Sequence, residues 1–380
     1  MPWKEHTGMA LRLEFTSLAR APDANVTELC RRFGISRKTG YKWLLRFARE
    51  GPSGLTDHSR RPLHSPRRTA PDTEARVTAL RELRPRWGGR KLNRRLREQG
   101  VSPVPAPSTI TGILARNGLL NPERRLKRDW RRFEAEAPNR LWQMDFKGHF
   151  PAGSKRCHPL TVLDDHSRFN LCLAACPDEL SDTVQAQLTG VFQRYGLPDR
   201  ITTDNGSPWG NSGQGLYTRL LAWLIRLGVR VGHSRPYHPQ TQGKDERFHR
   251  TLRLEVISRH AVWHGLEELQ QAFDVWRDVY NFERPHEALD LDVPSSRYQA
   301  SLRSFPAVLL PIEYEADDEV RRVRDTGRIK FQGRLVAVGK AFVGEPVAIR
   351  PAGNGVWDVY YCHQRIARID LQASAESLEV

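Results

Sequence analysis

Three stretches of the chain hold acids in settings that suit chemistry: Asp145 in "WQMDFKG", Asp204 closing "ITTDNG", and the adjacent pair Asp245 and Glu246 in "GKDERFHR". Trp142, Met144 and Phe146 flank the first in a strand-like run, where an ionised carboxylate is costly to bury unless a cation compensates it. Several oxygens converging from separate elements suit Mg²⁺, a hard ion that takes oxygen ligands. Any one of these acids alone reads as a salt-bridge partner or a turn cap. Together they read as a metal-assisted site. The rival pair Asp164 and Asp165 in "LTVLDDHSR" ends a strand and reads as a structural partner of His166 or Arg168.

The elements that would carry these acids begin near Leu141. Runs "LWQMDFKGHF", "HPLTVLDDHSR" and "FNLCLAACP" have the length and apolar content of three successive strands, and "SDTVQAQLTGVFQRYG" has helical spacing. A strand "DRITTDNG", a helix "GLYTRLLAWLIRLG" and a strand "VRVGHS" follow, so the order predicts a mixed sheet flanked by helices. "HPQTQ" and Gly243 then lead into a charged helix holding Asp245 and Glu246. One helical step of about 100° separates these two acids, so only one can face the aspartates.

Ahead of this region the chain is basic. The net charge is +16, of which residues 1–140 carry +17 and residues 141–380 carry −1, counting Lys, Arg, Asp and Glu. Such a front third binds a polyanion, because neutralising phosphates supplies most nonspecific affinity. "NVTELCRRFGISRKTGYKWLLRFAREG" reads as helix, turn, helix, with Thr27 and Ser36 as caps, Gly34 at the turn, and Trp43 and Leu44 anchoring the second helix. Arg37, Lys38 and Lys42 are left outward to meet DNA. Gly40 inside that helix costs about 1 kcal/mol relative to alanine. A second unit follows "PSGLTDHSRRPLHSPRRTAPD", with three helices, Trp87 as core anchor and Ser108 capping the third. Its basic residues Arg90 and Lys91 are expected on DNA.

No apolar run approaches the roughly 20 residues of a membrane span, and no signal-peptide core is present, so a cytoplasmic, nucleoid-associated protein without membrane partners is expected. Cys30, Cys157, Cys172, Cys176 and Cys362 contain no C-x-x-C pair and read as reduced thiols, which argues against a zinc site. Beyond residue 306, strand-length apolar runs recur at about ten-residue spacing with glycine turns, which predicts a small, separable β-barrel or sandwich.

Taken in order, "WQMDFKG", "LTVLDDHSRF", "ITTDNGSPW", "SRPYHPQTQGKDERFHRTL" and "YNFERPHEALDLDVPSSRY" resemble the integrase-like transposases of bacterial insertion sequences, relatives of retroviral integrases. The resemblance implies a ribonuclease-H-like core with Asp145, Asp204 and Glu246 as its D,D,E triad and metal ligands. It makes Glu246, not Asp245, the chemical acid and leaves Asp245 solvated. Asn205, His238, Gln242, Lys244 and Arg250 are expected to meet DNA near the metals. Two departures stand out. The interval between Asp204 and Glu246 is 41 residues, longer than the family's, with "PWGNSGQGLY" holding the excess as a loop. The His/Cys zinc module of retroviral integrases is also missing.

The implied fold is multidomain: α-helical helix-turn-helix domains, then an α/β ribonuclease-H-like core and a small C-terminal β-barrel. The expected divisions are helix-turn-helix 1–51, basic linker 52–72, a second, winged-helix-like unit 73–120, basic connector 121–137, catalytic core 138–305 and β-barrel 306–380. The implied cofactor is Mg²⁺, with Mn²⁺ as a substitute, as two ions about 3.5–4 Å apart serving in-line displacement at phosphorus. The implied partners are element-end DNA, target DNA and further copies of the chain, as a homodimer or higher oligomer. Two other readings share these residues: a DNA-binding regulator with an inactive core, and a ribonuclease-H-like nuclease without strand transfer.

Overall fold

The computed structural model describes residues 7–57, 68–120, 134–204, 206–210, 217–233, 243–260 and 262–372, and its chain divides into two units, Met1–Arg68 and Thr69–Val380. In the first unit, helices α1 (Gly8–Ala19), α2 (Val26–Arg32) and α3 (Arg37–Glu50) precede a 3₁₀ turn, Gly51–Leu55. Each helix starts at a side-chain cap. Thr7 accepts from the Ala10 N–H at 3.2 Å, Asn25 from those of Thr27 and Glu28 at 3.1 Å, and Ser36 from that of Thr39 at 3.2 Å. Asn25 therefore takes the role expected of Thr27, because it is the extended residue just before the first turn and its amide oxygen reaches two otherwise unpaired donors.

Gly34 turns the chain at φ +63°. Gly40 lies where α3 meets the other two helices: a Cβ there would stand 2.5 Å from the Cys30 sulfur and 2.9 Å from the Phe15 ring. The mid-helix glycine is thus a packing requirement. Around it Phe15, Cys30, Trp43 and Leu55 form the buried core. The start of the expected linker belongs to this unit, since Leu55 is buried and its carbonyl accepts from Arg12 at 2.8 Å.

The second unit opens with α4 (Pro71–Leu83), α5 (Gly89–Glu98) and α6 (Pro107–Arg116), packed around Val77, Trp87, Leu92, Leu96, Ile110 and Leu114. Trp87 is the anchor the sequence indicates. Ser108 does not cap α6: Pro107 already occupies the first turn, where its missing N–H costs nothing, and no side-chain cap bond forms.

Strands β1 (Trp142–Phe146), β2 (Phe150–Ala152), β3 (Lys155–Asp164) and β4 (Asn170–Cys176) come next, then α7 (Ser181–Tyr195), β5 (Arg200–Thr203), α8 (Arg219–Arg226), β6 (Arg230–His233), α9 (Gly243–Glu255) and α10 (Leu266–Asp278). The sheet runs β2-β3-β1-β5-β6, with β4 also on β3. β1 pairs antiparallel with β3 and parallel with β5, which in turn pairs parallel with β6. This is the mixed sheet the sequence predicts, with one addition: β2 is a short hairpin arm on β3 that starts at Phe150, the last residue of the run read as the first strand.

Alternation along the strands sends side chains to two opposite cores. Met144, Leu160 and Val162 meet Leu188 and Phe192 of α7 and Leu220 and Leu224 of α8. Leu163 and Leu173 meet Phe248 and Leu252 of α9 and Phe273 and Trp276 of α10. A π-helical turn, Val279–Glu283, extends α10.

The C-terminal strands are β7 (Glu319–Arg322), β8 (Arg328–Phe331), β9 (Arg334–Ala337), β10 (Pro346–Gly353), β11 (Val356–Tyr361) and β12 (Gln364–Asp370). They do not close into the expected barrel. Among the described residues they form a four-stranded antiparallel sheet, β12-β11-β10-β7, and a separate β8-β9 hairpin. Side chains join the two: Ile329, Phe331 and Val336 of the hairpin share a core with Val347, Ile349, Val359 and Tyr361, and Ala222 and Ile225 of α8 enter the same core. No helix among the described residues is long and apolar enough to cross a membrane.

Candidate active site

Asp145 lies near the C-terminal end of β1, paired across the sheet with Thr161 of β3. On the other side Trp142 pairs with Ile201 and Gln143 with Thr202, so the parallel register carried two residues further sets Asp145 beside Asp204, just past β5. The electrostatics agree with this placement. Burial, and then the neighbouring Asp204 carboxylate, push Asp145 up to about 7. Asp204 itself is half-buried and accepts the Gly206 N–H at 3.0 Å. Two repelling carboxylates at adjacent strand ends form a hard oxygen donor set that a divalent cation would relieve, so the residues present fit such an ion.

α9 turns Asp245, Phe248 and Leu252 inward, positions three and seven apart on one face. Asp245 is accordingly 2% exposed, not solvated as the sequence reading has it. Its Oδ1 is buried with no hydrogen-bond partner among the described residues, and burial, followed by Asp145 and Asp165, raises it well above the usual carboxylate range. Glu246, one step round the helix, is exposed. Among the described residues no three His, Cys, Asp or Glu side chains stand close enough together to hold a metal ion. The structure therefore brings Asp145 and Asp204 together and leaves Glu246 outside that pair.

His249, absent from the sequence expectations, links the two elements. Its Nε2 lies 2.8 Å from the Thr161 hydroxyl, which donates to the Asp145 carbonyl at 3.0 Å, and its Nδ1 lies 3.8 Å from Asp145 Oδ2. Because the Thr161 proton is used on the carbonyl, Nε2–H is the donor and Nδ1 faces the carboxyl as an acceptor. Burial, then Lys147, lowers His249 to about 3, so the ring is neutral. Its spacing, three residues after Glu246 on a helix, is the signal that could have flagged it.

Asp164 and Asp165 are buried and structural, and Arg168 donates to the Asp165 carbonyl as expected, while their carboxylates take further partners. Asp164 accepts from the Asn139 N–H at 2.7 Å and from the Ser167 hydroxyl at 2.6 Å. Asp165 accepts from the Ala135 N–H and from Gln143 Nε2, both at 2.7 Å, and pairs with Lys244. Lys244, expected on DNA, is thus turned inward by a buried carboxylate. His166 instead meets the Ala135 carbonyl at 2.9 Å, and Arg168 pairs with Glu134 at 2.9 Å.

Lys91 is half-buried and within the electrostatic reach of Arg284, Glu255 and Glu287, and burial, then Arg284, lowers it to about 7. Arg37, Lys38, Lys42, Arg90 and Arg250 are exposed. The Lys42 ammonium stands 4.3 Å over the Trp43 ring. Asn205, His238 and Gln242 lie outside the described residues.

Comparison with known families matches residues 135–239 and 227–294 to integrase core domains, residues 318–377 to the IS481 family transposase C-terminal domain, residues 12–62 to a helix-turn-helix domain and residues 39–114 to a homeodomain-like domain. The chain is 27% identical over 228 residues to the insertion element IS407 uncharacterized 31.7 kDa protein of Burkholderia multivorans, covering 58% of this chain and 78% of that protein. It is 29% identical over 173 residues to the insertion element IS476 uncharacterized 39.2 kDa protein of Xanthomonas euvesicatoria, covering 45% and 47%. Among solved structures, a chain of the simian T-cell lymphotropic virus intasome in complex with PP2A regulatory subunit B56 gamma matches with a TM-score of 0.37 at 17% identity, covering 77% of this chain and 99% of that one. Helix-turn-helix segments, an integrase core and an IS481-type C-terminal domain follow one another along a single chain, an order that supports an integrase-like insertion-sequence transposase.

Proposed function

We propose that this transposase binds the ends of its element, cleaves them hydrolytically and joins the freed strand to target DNA, with Asp145, Asp204 and Glu246 as the catalytic acids. The observation that carries the reading is the Asp145–Asp204 pair at adjacent parallel strand ends, with Asp145 held up to about 7 by burial and by Asp204. Glu246 is the third acid because it is the exposed carboxylate of α9, able to meet a ligand arriving from solvent, whereas Asp245 is sealed beneath it. Mg²⁺, with Mn²⁺ as a substitute and two ions per site, would be held by these acids and would supply Lewis-acid stabilisation of the charge on the attacking and leaving oxygens.

In the first reaction water attacks phosphorus, the bond from phosphorus to the 3′ oxygen breaks, and the element end keeps a 3′-hydroxyl while the flank keeps a 5′-phosphate. In the second that hydroxyl attacks a target phosphodiester and releases a target 3′-hydroxyl, so no covalent protein intermediate forms. His249 orients Asp145 through Thr161, and Arg250, exposed four residues after Glu246, meets phosphate on the solvent side. The exposed Arg37, Lys38, Lys42 and Arg90 contact the ends, and the divisions 1–51, 73–120, 138–305 and 306–380 act as end-reading, end-reading, catalytic and accessory modules of a nucleoid-associated oligomer that pairs two ends.

The test is a cleavage and joining assay on duplexes taken from the DNA flanking the reading frame, with Mg²⁺ and with Mn²⁺. Asp145→Asn, Asp204→Asn and Glu246→Gln should each abolish both reactions and leave end binding intact, while Asp245→Asn should keep activity. An active Glu246→Gln beside a dead Asp245→Asn would move the third acid to Asp245. Cleavage without joining would make the protein a nuclease.

A further inference from the structure

The second helical module is packed on the catalytic core through its basic helix α5 and the turn leading into it. Arg94 reaches Asp292 at 2.9 Å, and Glu283 is held by both Arg95 at 3.1 Å and Arg84 at 3.4 Å. Between these charged contacts Val279 packs against the module's own apolar core. All these core-side residues belong to one strip, Val279–Asp292, which contains the "YNFERPHEALDLD" run.

The same strip also grips α9. Arg284 pairs with Glu255, the last residue of that helix, at 3.1 Å, with both side chains 11% exposed, and Trp276 donates to the other Glu255 oxygen at 3.0 Å. Tyr280 meets Phe248 of α9 edge to face at 4.9 Å, and Arg247 of α9 approaches Glu287 at 3.9 Å. The strip therefore touches both α5 and the helix that carries Glu246. These side-chain contacts run without a break from α5 through the strip to α9, the kind of contiguous packing that physical coupling requires.

We propose that Arg84, Arg94 and Arg95 are positioning residues that couple the second helical module, through the Val279–Asp292 strip, to the placement of Glu246. This rests on the reading of Glu246 as a catalytic acid and of the module as an end binder. Lys91 of α5, itself partly exposed, also feels the charges of Arg284, Glu255 and Glu287 across this junction, and burial, then Arg284, lowers it to about 7. The arginine pairs at its rim are partly solvent-exposed, and pairs of that kind are individually weak. Docking can therefore shift when the module engages DNA. Arg94 and Arg95 are engaged by the core and by Glu98 of their own helix, so end contacts fall to the exposed Arg90 and Arg97 and to α6, where Ser108, Thr109 and Thr111 are exposed.

The test uses the full chain with Asp292→Arg, Glu283→Arg, and the swap Arg94→Asp with Asp292→Arg. Hydrogen exchange without DNA reads the docking itself: the single variants should lose protection across Gly243–Glu255, and the swap should regain it. In cleavage at saturating element-end DNA, the singles should lose between about tenfold and a hundredfold in turnover with unchanged end affinity, and the swap should recover most of the loss. Unchanged α9 protection in the singles, turnover and end affinity falling together, or a swap as impaired as its parent would each overturn the coupling. A wild-type protein that cleaves no element end would instead sink the functional reading, with the exchange experiment still deciding whether the strip couples α5 to α9.

Discussion

Asp145 and Asp204 repel each other across adjacent strands, and the neutral ring of His249, 3.8 Å from the Asp145 carboxylate, ties α9 to the first of them. His249→Ala removes the link from α9 to Thr161 while leaving Asp145, Asp204 and Glu246, the proposed catalytic acids, in place. Cleavage should fall about 10–100-fold, as for other groups that orient a ligand residue, with end affinity unchanged. Full activity in that variant would show that the strand alone holds Asp145. A second buried ring sets a pH dependence. His286 is pushed well below the usual histidine range by burial first and by Arg284 and Lys91 next, and its Nε2 has no partner among the described residues. A histidine whose folded value is depressed gives stability that is present above its unfolded value, about 6.5, and is lost as pH falls toward the folded value. Between pH 7 and pH 5 the melting temperature of the wild type should therefore drop more than that of His286→Asn. Parallel slopes would remove His286 as the cause.

Elements meet in this protein at places where one atom decides the fit. In α3 the helical preference of alanine over glycine is worth about 1 kcal/mol, yet a Cβ at position 40 would fall inside the contact distance of Cys30 and Phe15. Overpacking of this sort costs about 1–3 kcal/mol and should win. Gly40→Ala should thus lower the melting temperature of the first unit, and adding Cys30→Ala, which removes the nearer of the two obstructing atoms, should recover part of the loss. A stabilised single variant would mean that α3 can move away from α1 and α2.

On the scale of the whole molecule, the C-terminal β segment is bound into the core more firmly than its separable strand pattern implies. Ala222 and Ile225 of α8 lie in the same apolar cluster as Val347, Ile349 and Tyr361. Removing everything after Phe305 bares that face of α8, and each fully exposed aliphatic side chain forfeits about 1.5–3 kcal/mol of burial. The truncated chain should melt several degrees lower than the full chain, with the loss read by circular dichroism. An unchanged melt would restore the segment to a separable appendage.

What the sequence determined by itself is whatever follows from local period and local chemistry. The helix pairs with Ser36 as cap and Gly34 as turn, the inward Trp43 and Trp87, the strands around Asp145 and the position of Asp204 at a strand end are all legible from side chains a few residues apart. The tertiary structure alone decided the rest, because the deciding atoms come from distant parts of the chain. Asp245 and Glu246 differ by one helical step, and only the packing of Phe248 and Leu252 against β3, β4 and α10 shows which one turns inward. Lys91 and Lys244 read as phosphate contacts until Glu255 and Glu287, or Asp165, are seen beside them. Strand count and spacing likewise cannot tell a closed barrel from a sheet and a hairpin that share one core, since closure depends on backbone pairing between strands that never meet in the sequence.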